Sequence, residues 1–452
     1  MAAVINAKPS SLTRCSMGIG KPVLLHKIEG QISRVNGIHL LSTEEGVLTI
    51  SDDRSLRVYL KRDNEQFWPS IYHYLPFSPS SMHFDEYKLR LFVGLINGSV
   101  YEYKVAEDMN SLSEQRHWMA HLSLVTSVLY SPEAELIFSC SKDKTTVWHC
   151  SETSLFICDE RQSVKVFAVV GSYTGESGFT ALEFDVSSKF VFLGDSGGGV
   201  ILLRLNGSEA NVVTTLSAHT SGLYELEFIL AICCIYVTVL TKHDLAHHDT
   251  ITSLAWDSER QLLFSAGADH LVIMWDIGGK KGQAFELNAH NNRLTCLRYA
   301  QHKKRLFSAD EDGSLVCWDM TAKRVETPGW KTSDSCQLCD SPFFWNFREM
   351  WDKKVVGLRQ HHCRTCGNAV CAKCCANTTR YPPMGYELPV RICNACQSRM
   401  QQFPDQFDLT SLAVISKLHQ GIICMHLQES TGRLVTAGSD RILMIWDVKQ
   451  LV

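Results

Sequence analysis

Three things are missing from this sequence of 452 residues, and each absence removes a class of function. Long apolar runs are missing. The longest, ILAICCIYVTVL at 229–240, is twelve residues, whereas a bilayer-spanning helix needs about 20. No secretory leader is expected. The opening MAAVINAKPSSLTRCSMGIG has no continuous apolar stretch, so a cytoplasmic protein is expected. A general cationic excess is also missing. The formal net charge is −4, which argues against a nucleic-acid partner that reads a basic face. The one exception is local: residues 330–400 carry ten Lys/Arg against five Asp/Glu, a surplus of +5 that leaves −4 − 5 = −9 for the rest. That island calls for a local anionic partner. Of the eighteen cysteines, eight form C-x-x-C pairs and ten are scattered; without a leader, the scattered ones read as reduced thiols.

What is present is a repeat. Four segments share an Ala-His or Leu-His opening, an alternating apolar strand, a second strand with Ser or Thr, an Asp turn and a strand ending in Trp. They begin at His121, His247, His290 and His419. The spacing to Asp143, Asp269 and Asp312 is 22 residues, and to Asp440 it is 21. Ser139, Ser265, Ser308 and Thr436 lie four before each Asp; Trp275, Trp318 and Trp446 lie six after, and Trp148 five after. Weaker copies stand at 48–60, 89–103 and 190–205.

The pattern resembles the WD repeat family, whose four-stranded units form β-propeller blades. Four strong and three weak copies predict a mainly β, seven-bladed propeller. Its blades one to six span 22–320, and 417–452 supplies blade seven. Only five residues follow Asp447, so PVLLHKI at 22–28 is expected to complete the last blade and close the ring. The recurring His, Ser and Asp could suggest a hydrolytic triad. A hydrolase needs one such set, however, and here it recurs blade after blade, so the residues read as structural and no catalytic residue is assigned. One segment breaks the spacing: a surplus of about 220–247, between a first opening His219 and a second, His247. It is expected to loop out of blade five or disturb it.

The C-x-x-C pairs all interrupt the repeat between Asp319 and His419. They are Cys336/Cys339, Cys363/Cys366, Cys371/Cys374 and Cys393/Cys396. Eight thiolates suffice for two structural, tetrahedral Zn2+ sites. The gaps suit a cross-brace: Cys336, Cys339, Cys371 and Cys374 on zinc 1, and Cys363, Cys366, Cys393 and Cys396 on zinc 2. A unit this small buries little core, so metal ligation would supply much of its folding energy, roughly 10–16 kcal/mol per site.

Beside these pairs stands RQHHCRTCG (359–367), with RIC at 391–393 and Trp330 upstream. Together they resemble the FYVE zinc-finger family, placing a two-zinc cross-brace finger at 330–400, inserted before the last blade. The resemblance implies recognition of phosphatidylinositol 3-phosphate on endosomal membranes. Arg359, Arg364 and Arg391 suit charge-assisted bonds to phosphate. His361 and His362 add donors that become cationic on mild acidification, which would strengthen binding. Upstream, Lys353 and Lys354 with Val355, Val356 and Leu358 form WDKKVVGL. In such a finger this is a tip that inserts into the lipid interface; the alternative is a strand entering a small core. The sequence departs from the family pattern twice: Gln360 replaces a basic residue, and Trp330 and Asp334 are spaced W-x-x-x-D. Homodimerisation would add retention to one weak headgroup contact.

Taken whole, the chain resembles the WD repeat and FYVE domain-containing proteins. That resemblance implies a non-enzymatic scaffold, peripheral on the early endosome, whose propeller binds an unidentified protein client, such as a signalling kinase or a vesicle-traffic component. Two alternatives are a RING-like ubiquitin-ligase adaptor and a purely structural zinc module. RING modules usually include a histidine ligand, and the basic motif has no purpose there.

Overall fold

The computed structural model describes residues 20–159, 162–216, 247–278 and 284–452. Most of the surplus segment, up to residue 246, lies outside the described residues, as do residues 1–19. Among the described residues no helix is long and apolar enough to cross a membrane.

Among the described residues, seven four-stranded antiparallel sheets form the blades. Their innermost strands are Val35–Leu40, Pro79–Asp85, Val125–Ser131, Phe179–Asp185, Ile251–Asp257, Leu294–Ala300 and Ile422–Gln428. In each blade the second strand is buried almost throughout, as in LIFSCS, FVFLGD and RLFSAD. These runs read as continuous apolar strands because a blade is covered on both faces by its neighbours. The core therefore lies between blades: Phe264, Val272 and Leu287 of blade five pack with Leu297, Leu306 and Trp318 of blade six.

A further device joins the inner strands. A short polar residue near the start of four successive strands donates to the first residue of the next blade's strand: Asn36 to Pro79 O at 2.8 Å, Ser80 to Val125 O at 2.5 Å, Thr126 to Phe179 O at 2.8 Å and Thr180 to Ile251 O at 2.6 Å. Val23–Ile28 pairs antiparallel with Leu443–Asp447, so the N-terminal strand is the outer strand of the last blade.

The recurrent residues are structural. In blade five the Trp275 indole donates to Ser265 Oγ at 2.8 Å, Ser265 lies 2.8 Å from His247 Nε2, and His247 Nδ1 lies 2.9 Å from Asp269. Burial works to raise the Asp269 carboxyl, yet His247 and the His248 and Leu271 amides hold it below the usual range. Two members differ from the expected spacing. His290 bonds Asp310 at 2.7 Å, not Asp312. Asp310 occupies the register position of Gly267 in blade five, where a Cβ would collide with Asp269 and His247. With a side chain there, the carboxylate comes from that position itself, and Asp312 pairs with Lys417 instead. In blade three, Ile137 faces His149 as Leu263 faces Trp275. His149 thus holds the tryptophan position, and Trp148 packs against the other face with Phe138 and Phe179.

The zinc-finger segment leaves blade six after its third strand, Ser314–Asp319, and the chain returns to lay Ala413–Lys417 beside that strand as the blade's outer edge. The finger is thus inserted inside blade six, not between blades six and seven. It also docks on blade five. Asn288 N donates to Gly385 O at 2.8 Å, Glu387 N to Asn288 O at 2.9 Å, and Tyr386 Oη to Glu286 at 2.9 Å.

Candidate functional site

The finger is built on two short hairpins and two helices: Gln360–His362 with Ala369–Cys371, Asn377–Tyr381 with Tyr386–Ile392, and helices Phe347–Lys353 and Asn394–Gln402. Each hairpin ends at a cysteine pair, so local turns deliver thiols in twos. The expected cross-brace is what the structure assembles: Cys336, Cys339, Cys371 and Cys374 in one quartet; Cys363, Cys366, Cys393 and Cys396 in the other, with the ligand atoms of each within 4.8 Å of one another. Sulfurs of Cys339 and Cys371 lie 3.7 Å apart, and those of Cys366 and Cys393 3.8 Å. A tetrahedron of thiolates about 2.3 Å from zinc has edges of about 3.8 Å. Outer contacts orient the set: Cys371 N donates to Cys336 Sγ and Cys393 N to Cys363 Sγ, both at 3.2 Å. Both quartets fit zinc. Cys375 is buried in the finger core and belongs to neither.

Between the two hairpins opens a cavity of about 270 Å³, lined by Trp330, His361, His362, Arg364, Val390 and Arg391. Arg364 N donates to Arg391 O at 3.1 Å, which sets two guanidinium residues side by side. Trp330 stacks on His362 with centroids 4.6 Å apart and planes 14° apart, and the Arg364 guanidinium lies 4.9 Å over the same indole. Burial, then Arg391, Arg359 and His362, push His361 below the ordinary imidazole range. Two guanidinium groups and two imidazoles converging on one concavity suit a phosphate monoester.

Four of the five expected headgroup residues therefore line one cavity. Arg359 is exposed and outside its lining, acting on His361 through its charge. In sequence Trp330 is an upstream landmark of the finger; that it forms the cavity's aromatic wall follows from the fold. Asp334 accepts from Trp345 Nε1 at 3.0 Å and takes no part in the cavity. Of the expected insertion tip, Val355 and Val356 are exposed, Lys353 ends the helix and Lys354 is its left-handed cap. Leu358 does not belong with them: it bridges to Phe343 and packs against the finger core.

Fold and site together define a β-propeller carrying a cross-braced zinc finger with a cationic cavity. Family comparisons agree: the FYVE zinc finger matches residues 329–402, and the WD domain, G-beta repeat, matches 112–150, 237–276 and 282–319. WD repeat and FYVE domain-containing protein 2 of Caenorhabditis elegans is 51% identical over 451 residues, covering 100% of this chain and 98% of that protein. The human protein of the same name is 43% identical over 452 residues, covering 100% of both. The chain belongs to the WD repeat and FYVE domain-containing proteins. Among solved structures, the WD40 β-propeller domain of Doa1 matches with a TM-score of 0.54 and 13% identity, over 94% of this chain and 96% of that one; the likeness is of fold alone.

Proposed function

We propose that the finger recruits this chain to endosomal membrane by binding phosphatidylinositol 3-phosphate, and that the propeller holds protein clients there as a scaffold. The observation that carries the reading is the cavity itself: Arg364, Arg391, His361 and His362 converge on one concavity. The exposed Val355 and Val356 lie on the same finger. A headgroup phosphate seated among these donors would bring the apolar tip toward the lipid interface. Gln360 lies within 3.4 Å of His362 Nε2 and brings no charge, so Arg364, Arg391 and the two histidines carry the recognition, with Arg359 adding charge from outside the cavity. The client is a signalling or vesicle-traffic protein, and its surface is a propeller face.

The test is flotation of the full-length, zinc-loaded protein with vesicles containing phosphatidylinositol 3-phosphate, the 4-phosphate, the 3,5-bisphosphate or only phosphatidylserine. Selective flotation with the 3-phosphate is expected, falling at least tenfold in Arg364→Ala. Equal flotation on every anionic vesicle would sink the headgroup reading.

A further inference from the structure

The strand Tyr386–Ile392 runs from the propeller to the headgroup cavity. At its far end Val390 and Arg391 line the cavity. At its near end the chain is fixed to two blades. Gly385 and Glu387 exchange backbone bonds with Asn288, which follows the outer strand Ala284–Leu287 of blade five. Glu387 is buried, and accepts from Leu412 N at 2.7 Å and from Ser411 Oγ at 2.8 Å. Leu412 O in turn accepts from Asp319 N of blade six at 2.9 Å. A flexible tether would need none of these bonds.

Tyr386 stands at the near end and reaches toward both units. It is 1% exposed, in a finger too small to bury many large side chains. Its hydroxyl donates to Glu286 Oε2 of blade five at 2.9 Å. Burial, then Glu286, push that hydroxyl well above its ordinary range, so it remains a donor. The Arg364 guanidinium lies 5.9 Å over the Tyr386 ring and 4.9 Å over the Trp330 indole. Among the described residues no carboxylate pairs with Arg364, so the two aromatic faces are what confine its head. Trp330 is half exposed. Tyr386 is the buried member of the two, and blade five holds it.

We propose that Tyr386 is a positioning residue through which blade five holds the Arg364 guanidinium in the headgroup cavity, so that propeller and finger together make the lipid site. This rests on the phosphatidylinositol 3-phosphate reading above. Tyr386 is not among the cavity's lining residues, and its service is preorganisation. An arginine fixed before the ligand arrives loses less side-chain freedom on binding. The sensitivity of the site then extends to Glu286, which stands outside the finger altogether.

The experiment measures binding of a water-soluble, short-chain phosphatidylinositol 3-phosphate to the full-length, zinc-loaded protein, so that bilayer contacts play no part. The short-chain 4-phosphate and inorganic phosphate are the comparison ligands. Glu286→Ala separates two accounts by sign. If charge alone acts, removing an anion near an anion site strengthens binding; if Glu286 acts by holding Tyr386, its loss weakens binding. Glu286→Ala and Tyr386→Phe should each weaken binding about threefold, the scale of one hydrogen bond. The double variant should lose no more than either alone. Glu286→Gln keeps an acceptor and should bind like wild type. Tyr386→Leu removes the ring; it should lose about tenfold and move the Arg364 Nε–H nuclear resonance of the ligand-free protein. Both cysteine quartets should keep their zinc in every variant. Unchanged or tighter binding by Glu286→Ala, additive losses in the double variant, or an unmoved Arg364 resonance would each overturn the proposal. If Tyr386→Leu loses zinc, Tyr386→Phe and the Glu286 variants still decide. If wild type binds the 4-phosphate or inorganic phosphate as tightly as the 3-phosphate, the recruitment reading fails, and the Arg364 resonance then decides the positioning role by itself.

Discussion

At the scale of the residue, His149 shows how one position decides a pH response. It replaces the tryptophan of other blades and accepts from Trp118 Nε1 at 3.1 Å, so Nε2 must be unprotonated. Burial, then the charges of His121 and Arg116, push its pKa down to about 4, against about 6.5 when unfolded. The folded state therefore resists a proton that the unfolded state accepts. Stability is full above the unfolded value and falls as pH drops from about 6.5 toward 4, by up to about 1.4 kcal/mol per pH unit for this one group. His121, lowered chiefly by burial, adds in the same direction. The melting temperature should thus decline between pH 7 and pH 5, and His149→Gln should flatten the decline. Identical slopes in variant and wild type would remove His149 from the account. The sequence hid this site for a simple reason: Trp148 satisfies the repeat by eye, and a one-residue shift of strand register moves it to the opposite face.

Among the elements, the strand pairs and the cysteine quartets were legible because both are local signals. Alternation and Asp turns mark a hairpin within a few residues, and C-x-x-C pairs announce themselves by spacing. What lay hidden was non-local. The strand Ala413–Lys417 carries no motif, and its partner Ser314–Asp319 lies across the whole finger in sequence. The helix Phe347–Lys353 is equally silent, since it buries none of its residues and its register cannot be inferred from a core. The docking of finger on blade five also depends on one backbone position. Gly385 has φ +90°, and a Cβ there would lie 2.0 Å from Glu286 O. Its neighbour Tyr386 reaches Glu286 and also lies 5.9 Å under the Arg364 guanidinium. Gly385→Val combines left-handed strain with a backbone clash, each costing of order 1–3 kcal/mol, and should loosen this contact. Hydrogen exchange is expected to rise in Ala284–Leu287 and Tyr386–Ile392 while two zinc ions remain bound. Unchanged exchange in both strands would mean that the finger does not depend on this seat.

For the whole molecule, the consequence of the topology is that neither end of the propeller is independent. The outer strand of blade seven comes from Val23–Ile28, and that of blade six arrives only after the finger. Val23, Leu24 and Leu25 are largely exposed, so the segment contributes little core; its main service is to pair the backbone of Leu443–Asp447. Removing residues 1–29 would leave that strand as an open edge, with unpaired amides and carbonyls ready to join another chain. It would also cut the buried Ile28 from its place beside Val35 and Ile445, worth about 1.5–3 kcal/mol for one aliphatic side chain. The truncated protein should melt at lower temperature and form concentration-dependent oligomers in sedimentation velocity. Adding Lys residues to the bared edge should restore the monomer without restoring the melting temperature, because charge blocks edge pairing but supplies no lost burial. A truncated chain that stays monomeric with an unshifted melting transition would show that blade seven holds its shape with three strands, and that the ring is closed by packing between blades rather than by the shared sheet.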